Sequence, residues 1–285
     1  MSIKKLEKKL LKQMGQAIED YNMFQKGDRV MVCVSGGKDS LTLLRLLHLA
    51  SVRTNNRFEV FSFTLDQKQP GWDDMALREW MAKNHYAYEI YEKDTYSVVL
   101  QKTQPGKAYC SMCSRMRRGT IYQYAESHGH NKIALGHHRD DLITSLLMSV
   151  CYSGEIRSMP PKMISDNNNN IVVRPLVYCA EEDIAEYAEA MKFPIIPCSL
   201  CGSQEGRTRQ KMKQLIHDLA DDNPDVPAVM LNALGNIQIS QLMDKRRWDF
   251  ENLEQKLIDR DSNIIPIQSA GSDCVSDDVD DILKL

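Results

Sequence analysis

The chain has 285 residues, of which 42% are hydrophobic and 26% charged, and its formal net charge is −3. These proportions are typical of a soluble globular protein, and the length allows one large domain or two small ones. No apolar run approaches the ~20 residues that a membrane helix needs, and the lysine-rich start lacks the apolar core of a signal peptide. We therefore expect a cytoplasmic protein that does not enter a membrane.

The chain contains eight cysteines. In a cytoplasmic protein this number indicates free thiols, metal ligands or catalysis rather than disulfides. The negative charge is concentrated at the end, where residues 268–285 hold five aspartates and one lysine. Such a segment has too few large apolar groups to fold, so residues 263–285 are predicted to be an acidic, disordered tail. The remaining chain is close to neutral and can carry a basic surface.

The first half of the chain alternates helical and strand patterns. Residues 4–24 predict an amphipathic helix, and the apolar run Val30–Val32 predicts a buried strand. The strand leads into a glycine-rich turn and a helix with apolar residues on one face. The further predictions are a strand over residues 58–66, a helix around Leu77–Met81, a strand over residues 86–91 and a loop over residues 102–109.

The second half continues the alternation. A helix is predicted over residues 114–128 and ends at Gly129. Strands are predicted at residues 133–135 and 171–173. Four further helices are predicted, one after residues 136–141, one over 181–191, one around 212–219 and one within 229–248. The helix after residue 141 is expected to have one buried apolar face, formed by Ile143, Leu146, Leu147 and Val150. The alternation predicts an α/β fold with a parallel sheet flanked by helices, an N-terminal helix and a helical C-terminal region.

Ligands bind such sheets beyond the carboxyl ends of the strands. The turn after the first strand consists of Ser35, Gly36, Gly37, Lys38, Asp39 and Ser40. Backbone N–H groups of a glycine-rich turn and a helix N-terminus converge on an anion, and Lys38 can neutralise phosphate charge. The usual P-loop has glycine where Val32 stands and serine or threonine where Asp39 stands. Asp39 could instead hold Mg²⁺. The alternative is a tight turn that only lets helix and strand pack closely.

Two further polar motifs follow predicted strands. If the anion at the glycine-rich turn is the phosphate of a nucleotide, Asp66 could contact its adenosine half. The alternative is that Asp66 caps a helix or a turn. Gly136, His137 and Asp141 precede a helix and could contact the nucleotide from the other side of the loop. The alternative for the carboxylates of this motif, Asp140 and Asp141, is that they cap the helix.

Two C-x-x-C pairs, Cys110/Cys113 and Cys198/Cys201, indicate a metal site. Four thiolates suit a closed zinc site, whereas an iron–sulfur cluster is the second interpretation and a redox dithiol the third. Three other cysteines are predicted to be buried packing residues, namely Cys33, Cys151 and Cys179.

Arginines follow both pairs. Arg115, Arg117 and Arg118 follow the first pair, and Arg207 and Arg209, together with Lys211 and Lys213, follow the second. A charge run is commonly a solvated face, but two runs beside metal-type cysteines favour contacts with nucleic-acid phosphates.

The combined motifs resemble the PP-loop ATP pyrophosphatases, and within them the tRNA 2-thiocytidine synthetases. The resemblance runs from about residue 5 to about residue 250. The matching segments are Val32–Ser40, Leu65–Gly71, Cys110–Gly119, Ala134–Asp141, Met159–Met163 and Phe193–Gln204. The glycine-rich turn alone indicates the superfamily, and the cysteine pairs together with Gly136–Asp141 narrow the resemblance to this family.

The resemblance implies one PP-loop catalytic domain, of the adenine nucleotide alpha hydrolase-like kind, over residues 1–262. Within it, residues 1–26 form an N-terminal helical arm and residues 205–250 a helical C-terminal part. The implied activity is ATP-dependent 2-thiolation of cytidine 32 in the tRNA anticodon loop. Lys38, Asp39 and Cys201 would be catalytic, and the nucleotide would be bound by Ser35, Gly36, Gly37, Lys38, Asp39, Ser40, Asp66, Gly136, His137 and Asp141.

The resemblance further implies that Cys110, Cys113 and Cys201 hold a [4Fe–4S] cluster with one iron free of protein ligands. ATP, with Mg²⁺, would adenylate the C2 oxygen of the cytidine, and sulfur supplied by a cysteine desulfurase would displace AMP. The resemblance also suggests a homodimer. Two alternatives are a PP-loop tRNA-modifying ligase without sulfur chemistry and a non-catalytic metal-binding module for nucleic acid.

Overall fold

A computed structural model of the chain describes residues 2–54, 57–102, 110–196 and 204–262. Its Cα packing divides the chain into two compact units, residues 1–235 and residues 236–285. The predicted domain over residues 1–262 stays a prediction, and the predicted tail lies outside the described residues. None of the described helices has the length and apolar character needed to cross a membrane.

The first unit alternates helices and strands as the sequence predicts. Its helices are α1 (Ile3–Asp20), α2 (Lys38–Arg53), α3 (Met75–Lys83), α4 (Tyr96–Lys102), α5 (Cys110–Ser127), α6 (Arg139–Ser153), α7 (Glu181–Ala190), α8 (Gln204–Asp222) and α9 (Val226–Ala233). Its strands are β1 (Arg29–Cys33), β2 (Glu59–Asp66), β3 (Tyr88–Glu92), β4 (Lys132–Ala134), β5 (Lys162–Ile164) and β6 (Ile171–Val173). The second unit contains a short 3₁₀ turn (Ile239–Gln241) and α10 (Leu253–Ser262).

The strands form one six-stranded sheet in the order β3-β2-β1-β4-β6-β5. Neighbouring strands are parallel except β5, which runs antiparallel to β6. The sequence did not predict β5, because three residues at a sheet edge are too short to show an alternating pattern, and Ile164 at its end is 59% exposed. The predicted α/β fold with a sheet flanked by helices is confirmed, and the sheet is parallel except for the edge strand β5.

Successive residues of the central strands enter two different cores, as the pleat of a strand requires. Val30 and Val32 of β1 join a core with residues of α1, α2 and α7. Met31, between them, joins a core with residues of α5. Helices therefore cover both faces of the sheet. The buried face of α1 consists of Leu6, Leu10, Met14 and Ala17, so the predicted N-terminal helix belongs to the main core.

Helix α5 begins earlier than predicted, at Cys110 instead of Ser114, and ends where expected. The amide of His130 donates to the carbonyl of Ala125 at 2.8 Å, and Gly129 has φ +69°. This left-handed glycine with a hydrogen bond across the helix end is the Schellman arrangement.

Two other predictions differ from the structure. Val150 of α6, expected to be buried, is 48% exposed, whereas Leu142 is buried. The sequence shows the apolar residues of α6 but not which of them the later helices α8 and α9 cover. The sequence also gave no prediction for α4, a single short helix of seven residues.

Candidate functional site

The turn after β1 and the turn after β4 lie side by side, because these two strands are neighbours in the sheet. From β1 the chain continues to β2 on one side of β1, and the later strand β4 lies on its other side. The order of the strands therefore reverses at β1, and ligands of open α/β sheets bind at such a reversal. A Cβ at Gly136 would lie 3.0 Å from the backbone nitrogen of Ser40. Gly136 is therefore needed so that the β4 turn can pack on the first turn of α2.

The glycine-rich turn is held by its own hydroxyl groups. The amide of Ser35 donates to Oγ of Ser40 at 3.2 Å, and that hydroxyl donates to the carbonyl of Gly37 at 2.9 Å. Gly36 has φ +81°, a region that favours glycine. No described side chain caps the start of α2. The first amides of α2 are thus available to an anion at the positive end of the helix.

Lys38 is held by two carboxylates. Its Nζ lies 3.0 Å from Oδ1 of Asp39 and 3.0 Å from Oε1 of Glu181, the first residue of α7. Oε2 of Glu181 accepts a hydrogen bond of 2.6 Å from Nζ of Lys213 on α8. Burial would lower the pKa of Lys38, but Asp39 and Glu181 outweigh burial and raise it. Lys38 is therefore a cation that neighbouring carboxylates hold at the loop.

A buried histidine lies among the carboxylates of the site. Nε2 of His138 is 3.4 Å from Oδ2 of Asp141 and 3.7 Å from Oδ1 of Asp39, and Nδ1 is 3.7 Å from Oδ2 of Asp140. Burial would lower the pKa of His138, but Asp140, Asp141 and Asp39 reverse this and raise it. The nucleotide contact predicted for the adjacent His137 stays a prediction.

The two aspartates of this motif make different contacts. Asp141 accepts a long hydrogen bond of 3.4 Å from the amide of His138, the residue before α6. Oδ2 of Asp140 accepts a hydrogen bond of 2.7 Å from the amide of Glu181. Asp140 thus satisfies the first amide of α7 rather than one of its own helix. A carboxylate at this position also interacts favourably with the positive end of α7.

His137 contacts a buried arginine instead of a carboxylate. Nε of Arg174 donates to Nδ1 of His137 at 3.3 Å, and Arg174 also donates to the carbonyl of Pro160 at 2.5 Å. Burial and the Arg174 charge lower the pKa of His137 to about 4. Because a guanidinium only donates, Nδ1 of His137 is the acceptor and the proton of the neutral ring is on Nε2.

Asp66 closes a turn at the end of β2. Its Oδ1 accepts a hydrogen bond of 2.7 Å from the amide of Lys68, whose Nζ lies 3.3 Å from the other oxygen. Lys68 has φ +60°, so the turn is tight. The structure thus contains the turn cap that the sequence offered as one interpretation. Contact with the adenosine half of a nucleotide stays a prediction.

The first cysteine pair occupies the first turn of α5. Cys110 is its first residue, and Cys113 follows three residues later. Sγ of Cys113 donates to Oε1 of Gln67 at 3.5 Å, so the thiol lies at the end of β2. A helix N-terminus stabilises thiolates, the form that binds a metal. Cys198 and Cys201 lie outside the described residues.

The remaining described cysteines do not all follow the packing prediction. Cys179 is buried, as predicted, and Cys33 is half-buried. Burial raises the pKa of the Cys33 thiol to about 12, which keeps it protonated at neutral pH. Cys151 is exposed, so its predicted burial is wrong. It lies in the outer part of α6 beside Val150, on a face that the sheet does not cover.

Arginines line α5 beyond the cysteine pair. Arg115, Arg117 and Arg118 are exposed, and Nη1 of Arg118 lies 3.2 Å from Oδ2 of Asp166. Nη1 of Arg209, on α8, lies 3.5 Å from Oδ1 of Asp141 and therefore beside the loop. The side chain of Arg207 is outside the described residues.

Sequence reasoning missed Glu181 as a member of this site, and it placed Lys213 only in the basic run after the second cysteine pair. Glu181 stands in an acidic triplet at the start of a helix, a pattern that commonly only complements the helix dipole. Lys213 is one of several charged residues on α8 and carries no motif. No local signal shows that Glu181 contacts Lys38 or that Lys213 contacts Glu181, because these contacts depend on where α7 and α8 pack.

Comparison with known proteins agrees with this geometry. A PP-loop domain family matches residues 5–196. A tRNA-cytidine(32) 2-sulfurtransferase of Legionella pneumophila (strain Paris) is 58% identical over 88% of this chain and 89% of that protein. The chain belongs to the tRNA-cytidine(32) 2-sulfurtransferase family. A member from Coxiella burnetii (strain Dugway 5J108-111) is also 58% identical, over 89% of this chain and 99% of that protein.

A solved structure shares the fold at low sequence identity. The U34-tRNA thiolase NcsA from Methanococcus maripaludis, determined with its [4Fe-4S] cluster, superposes with a TM-score of 0.65 at 17% identity. The match covers 82% of this chain and 81% of that one. The predicted family, fold class and transferase class are confirmed.

Proposed function

We propose that this chain is an ATP-dependent tRNA sulfurtransferase that thiolates C2 of cytidine 32 in the anticodon loop. The observation that carries the proposal is the uncapped start of α2 with Lys38 beside it, adjacent to a cysteine pair at the next strand end. A relative with 58% identity carries the name of this activity.

The nucleotide-binding role of the loop follows from its charges. The amides at the start of α2 and the ammonium of Lys38 face the position where phosphates would bind. Lys38 would leave the carboxylates of Asp39 and Glu181 for the phosphates. Asp39 would then bind Mg²⁺, which in such sites takes one or two carboxylates together with substrate phosphates.

The first chemical step is adenylation of the tRNA base. The C2 oxygen of the cytidine attacks the α-phosphorus of ATP, the bond to the β-phosphate oxygen breaks, and pyrophosphate leaves. Preorganised donors aimed at the leaving group stabilise the charge that develops on it. The α2 amides and Lys38 supply this stabilisation. His137 is held neutral by Arg174, so its Nε2–H is a donor for a nucleotide or base oxygen.

The second step replaces AMP at C2 by sulfur. Cys110, Cys113 and Cys201 provide three thiolate ligands, and the position of Cys110 and Cys113 at a helix start suits this role. A [4Fe–4S] cluster bound there would supply an iron without a protein ligand, to which sulfur can bind. A cysteine desulfurase would be the sulfur donor, and we expect the active protein to be a homodimer.

The tRNA would be held by its phosphates. Arg115 and Arg117 are exposed and make no ion pair with described residues, so no described carboxylate competes with phosphate groups for them. Arg118 would exchange Asp166 for phosphate. Arg207 and Arg209, at the start of α8, complete the proposed basic surface.

The test is pyrophosphate release in the presence of unmodified tRNA. Lys38→Ala and Asp39→Ala should each lower the rate by ~100-fold or more, because each removes a charged contact to the phosphates or their metal ion. The iron–sulfur absorption should stay unchanged. Lys8→Ala, an exposed lysine on α1, serves as the control and should react normally. Near-normal release by either loop variant would remove the loop from the mechanism.

The product distinguishes this function from the alternatives. Nucleosides from the modified tRNA should contain 2-thiocytidine, identified by mass spectrometry. A ligation product at the cytidine would indicate a PP-loop ligase. Cytidine that stays unmodified with ATP, a desulfurase and reduced protein present would indicate a non-catalytic module.

A further inference from the structure

Glu181 joins two lysines that come from different helices. Its Oε1 is 3.0 Å from Nζ of Lys38, and its Oε2 is 2.6 Å from Nζ of Lys213. Side-chain exposure is 28% for Lys38, 31% for Glu181 and 34% for Lys213, so all three are partly shielded from water. The two ammonium groups are therefore only one carboxylate apart.

The Glu181 carboxylate is shared by two ammonium groups. Burial would raise the pKa of Glu181, but Lys213 and Lys38 outweigh burial and lower it. One carboxylate thus serves two cations, and among the described residues the other carboxylate within 4 Å of Lys38 is Asp39. The positive end of α2 lies beside this group. A diphosphate that replaced Glu181 between the two ammonium groups would keep both of them paired and would gain the interaction with the start of α2.

A cavity lies beside this group. It has a volume of about 620 Å³ and is lined by Lys38 of α2 and by residues of α6, α7, α8 and α9. Glu181 and Lys213 belong to this lining, as do the carboxylates of Asp140, Glu182 and Asp221. The Glu181 side chain can therefore move without disturbing the sheet. The space also lets both ammonium groups keep contact with a ligand that replaces the carboxylate.

We propose that Lys213 is a second phosphate-binding lysine of the nucleotide site and that Glu181 is its positioning residue. In the free protein Glu181 holds Lys38 and Lys213 in place, and the terminal diphosphate of ATP takes its position when the nucleotide binds. The inference rests on the proposed function insofar as the loop must bind ATP. It extends that function by adding a phosphate ligand from α8, more than 170 residues after the loop in the chain.

Calorimetric titration of the full chain with inorganic pyrophosphate, ATP and AMP tests the role of Lys213. Lys213→Met should weaken binding of pyrophosphate and ATP by ~10-fold, the effect of one lost charge-assisted contact of about 1.4 kcal/mol. AMP lacks the terminal diphosphate, so its affinity should not change. Lys211→Met is the matched control, since Lys211 is exposed on the same helix and makes no ion pair with described residues. This variant should bind all three ligands normally.

Glu181→Gln separates positioning from a structural role. Removing the competing negative charge should strengthen pyrophosphate binding several-fold, although the lysines lose their alignment and the maximal rate of pyrophosphate release falls. A residue that only ties α8 to α7 would give weaker or unchanged binding. The proposal would be overturned if Lys213→Met weakened the binding of AMP and of pyrophosphate equally. It would also be overturned if Glu181→Gln did not bind pyrophosphate more tightly than the wild type.

The outcomes also distinguish this inference from the proposed function. If Lys213→Met alters only tRNA affinity and its salt dependence, Lys213 binds RNA and the inference is wrong while the function stands. If the wild-type chain binds pyrophosphate through Lys213 but releases none from ATP with tRNA, the inference stands and the function is wrong. Wild-type protein that binds neither ATP nor pyrophosphate would contradict both.

Discussion

The amide of Ile196 donates a hydrogen bond of 2.9 Å to the carbonyl of Gly36. The Ile196 side chain also fills the space where Gly36 would carry a Cβ, which would lie 2.9 Å from the Ile196 Cβ. Ile196 is the last described residue before the segment with Cys198 and Cys201. The glycine-rich loop and the chain leading to the second cysteine pair are thus in direct contact.

Gly36→Ala should destabilise the protein and impair nucleotide binding. The left-handed backbone costs a non-glycine residue about 1 kcal/mol or more, and the clash with Ile196 adds about 1–3 kcal/mol. Urea denaturation should show the loss of stability from both the backbone and the clash. The double variant Gly36→Ala/Ile196→Ala should recover the part due to the clash, relative to Ile196→Ala alone. No recovery would mean that the backbone conformation accounts for the whole effect.

Asp140→Asn should lower the free energy of unfolding by about 1–2 kcal/mol at pH 7, because a charged acceptor is lost at the start of α7. Burial alone would raise the pKa of Asp140, but contacts with His138 and Arg139 hold this pKa below its ordinary value. The stabilisation is therefore present above the pKa of the unfolded state, about 3.9, and is lost as the pH falls through the lower folded pKa.

Chemical denaturation at pH 7 and near pH 3 measures this dependence. The difference between wild type and Asp140→Asn should shrink as the solution becomes acidic. Glu79→Gln, at an exposed carboxylate of α3, should change stability by less than about 0.5 kcal/mol at either pH. A difference that stays constant with pH would show that the charge of Asp140 does not stabilise α7.

The four paired cysteines should not be equivalent. Cys110→Ser, Cys113→Ser and Cys201→Ser should each lose iron and thiolation activity, whereas Cys198→Ser should keep the cluster and some activity. The physical reason is that three thiolate ligands leave one iron open, whereas four close the site as in structural zinc. Iron and sulfide content after anaerobic assembly gives the answer. Equal loss in all four variants would indicate a closed site.

The α5 arginines should bind tRNA through phosphates. Replacing Arg115, Arg117 and Arg118 by alanine should weaken the binding of all tRNAs by the same factor. It should also reduce the slope of log affinity against log salt concentration by about one unit per lost contact. The single variant Arg118→Ala should have the smallest effect, because this side chain must first leave Asp166. Arg78→Ala, paired with Asp74 on α3, is the control. An unchanged slope in the triple variant would identify an ordinary solvated face.

The sequence alone was sufficient for the segments whose signals are local. The apolar run of β1, the glycine-rich turn and the α2 residues Leu43, Leu46 and Leu47 predict strand, anion loop and helix, because each signal spans only a few residues. The alternation of such segments also predicts the α/β fold. The cysteine pairs and the residue types after β4 then narrowed the family, which the relatives confirm.

Only the tertiary structure decided which side chains meet at the loop. Glu181 reaches Lys38 from α7, Lys213 reaches Glu181 from α8, and Arg174 contacts the ring of His137 from beyond β6. The position of β5 at the sheet edge and the burial of Leu142 instead of Val150 were decided in the same way. An ion pair or a buried face depends on strand order and on how helices dock. These are properties of contacts between distant segments, which the pattern within one segment does not contain.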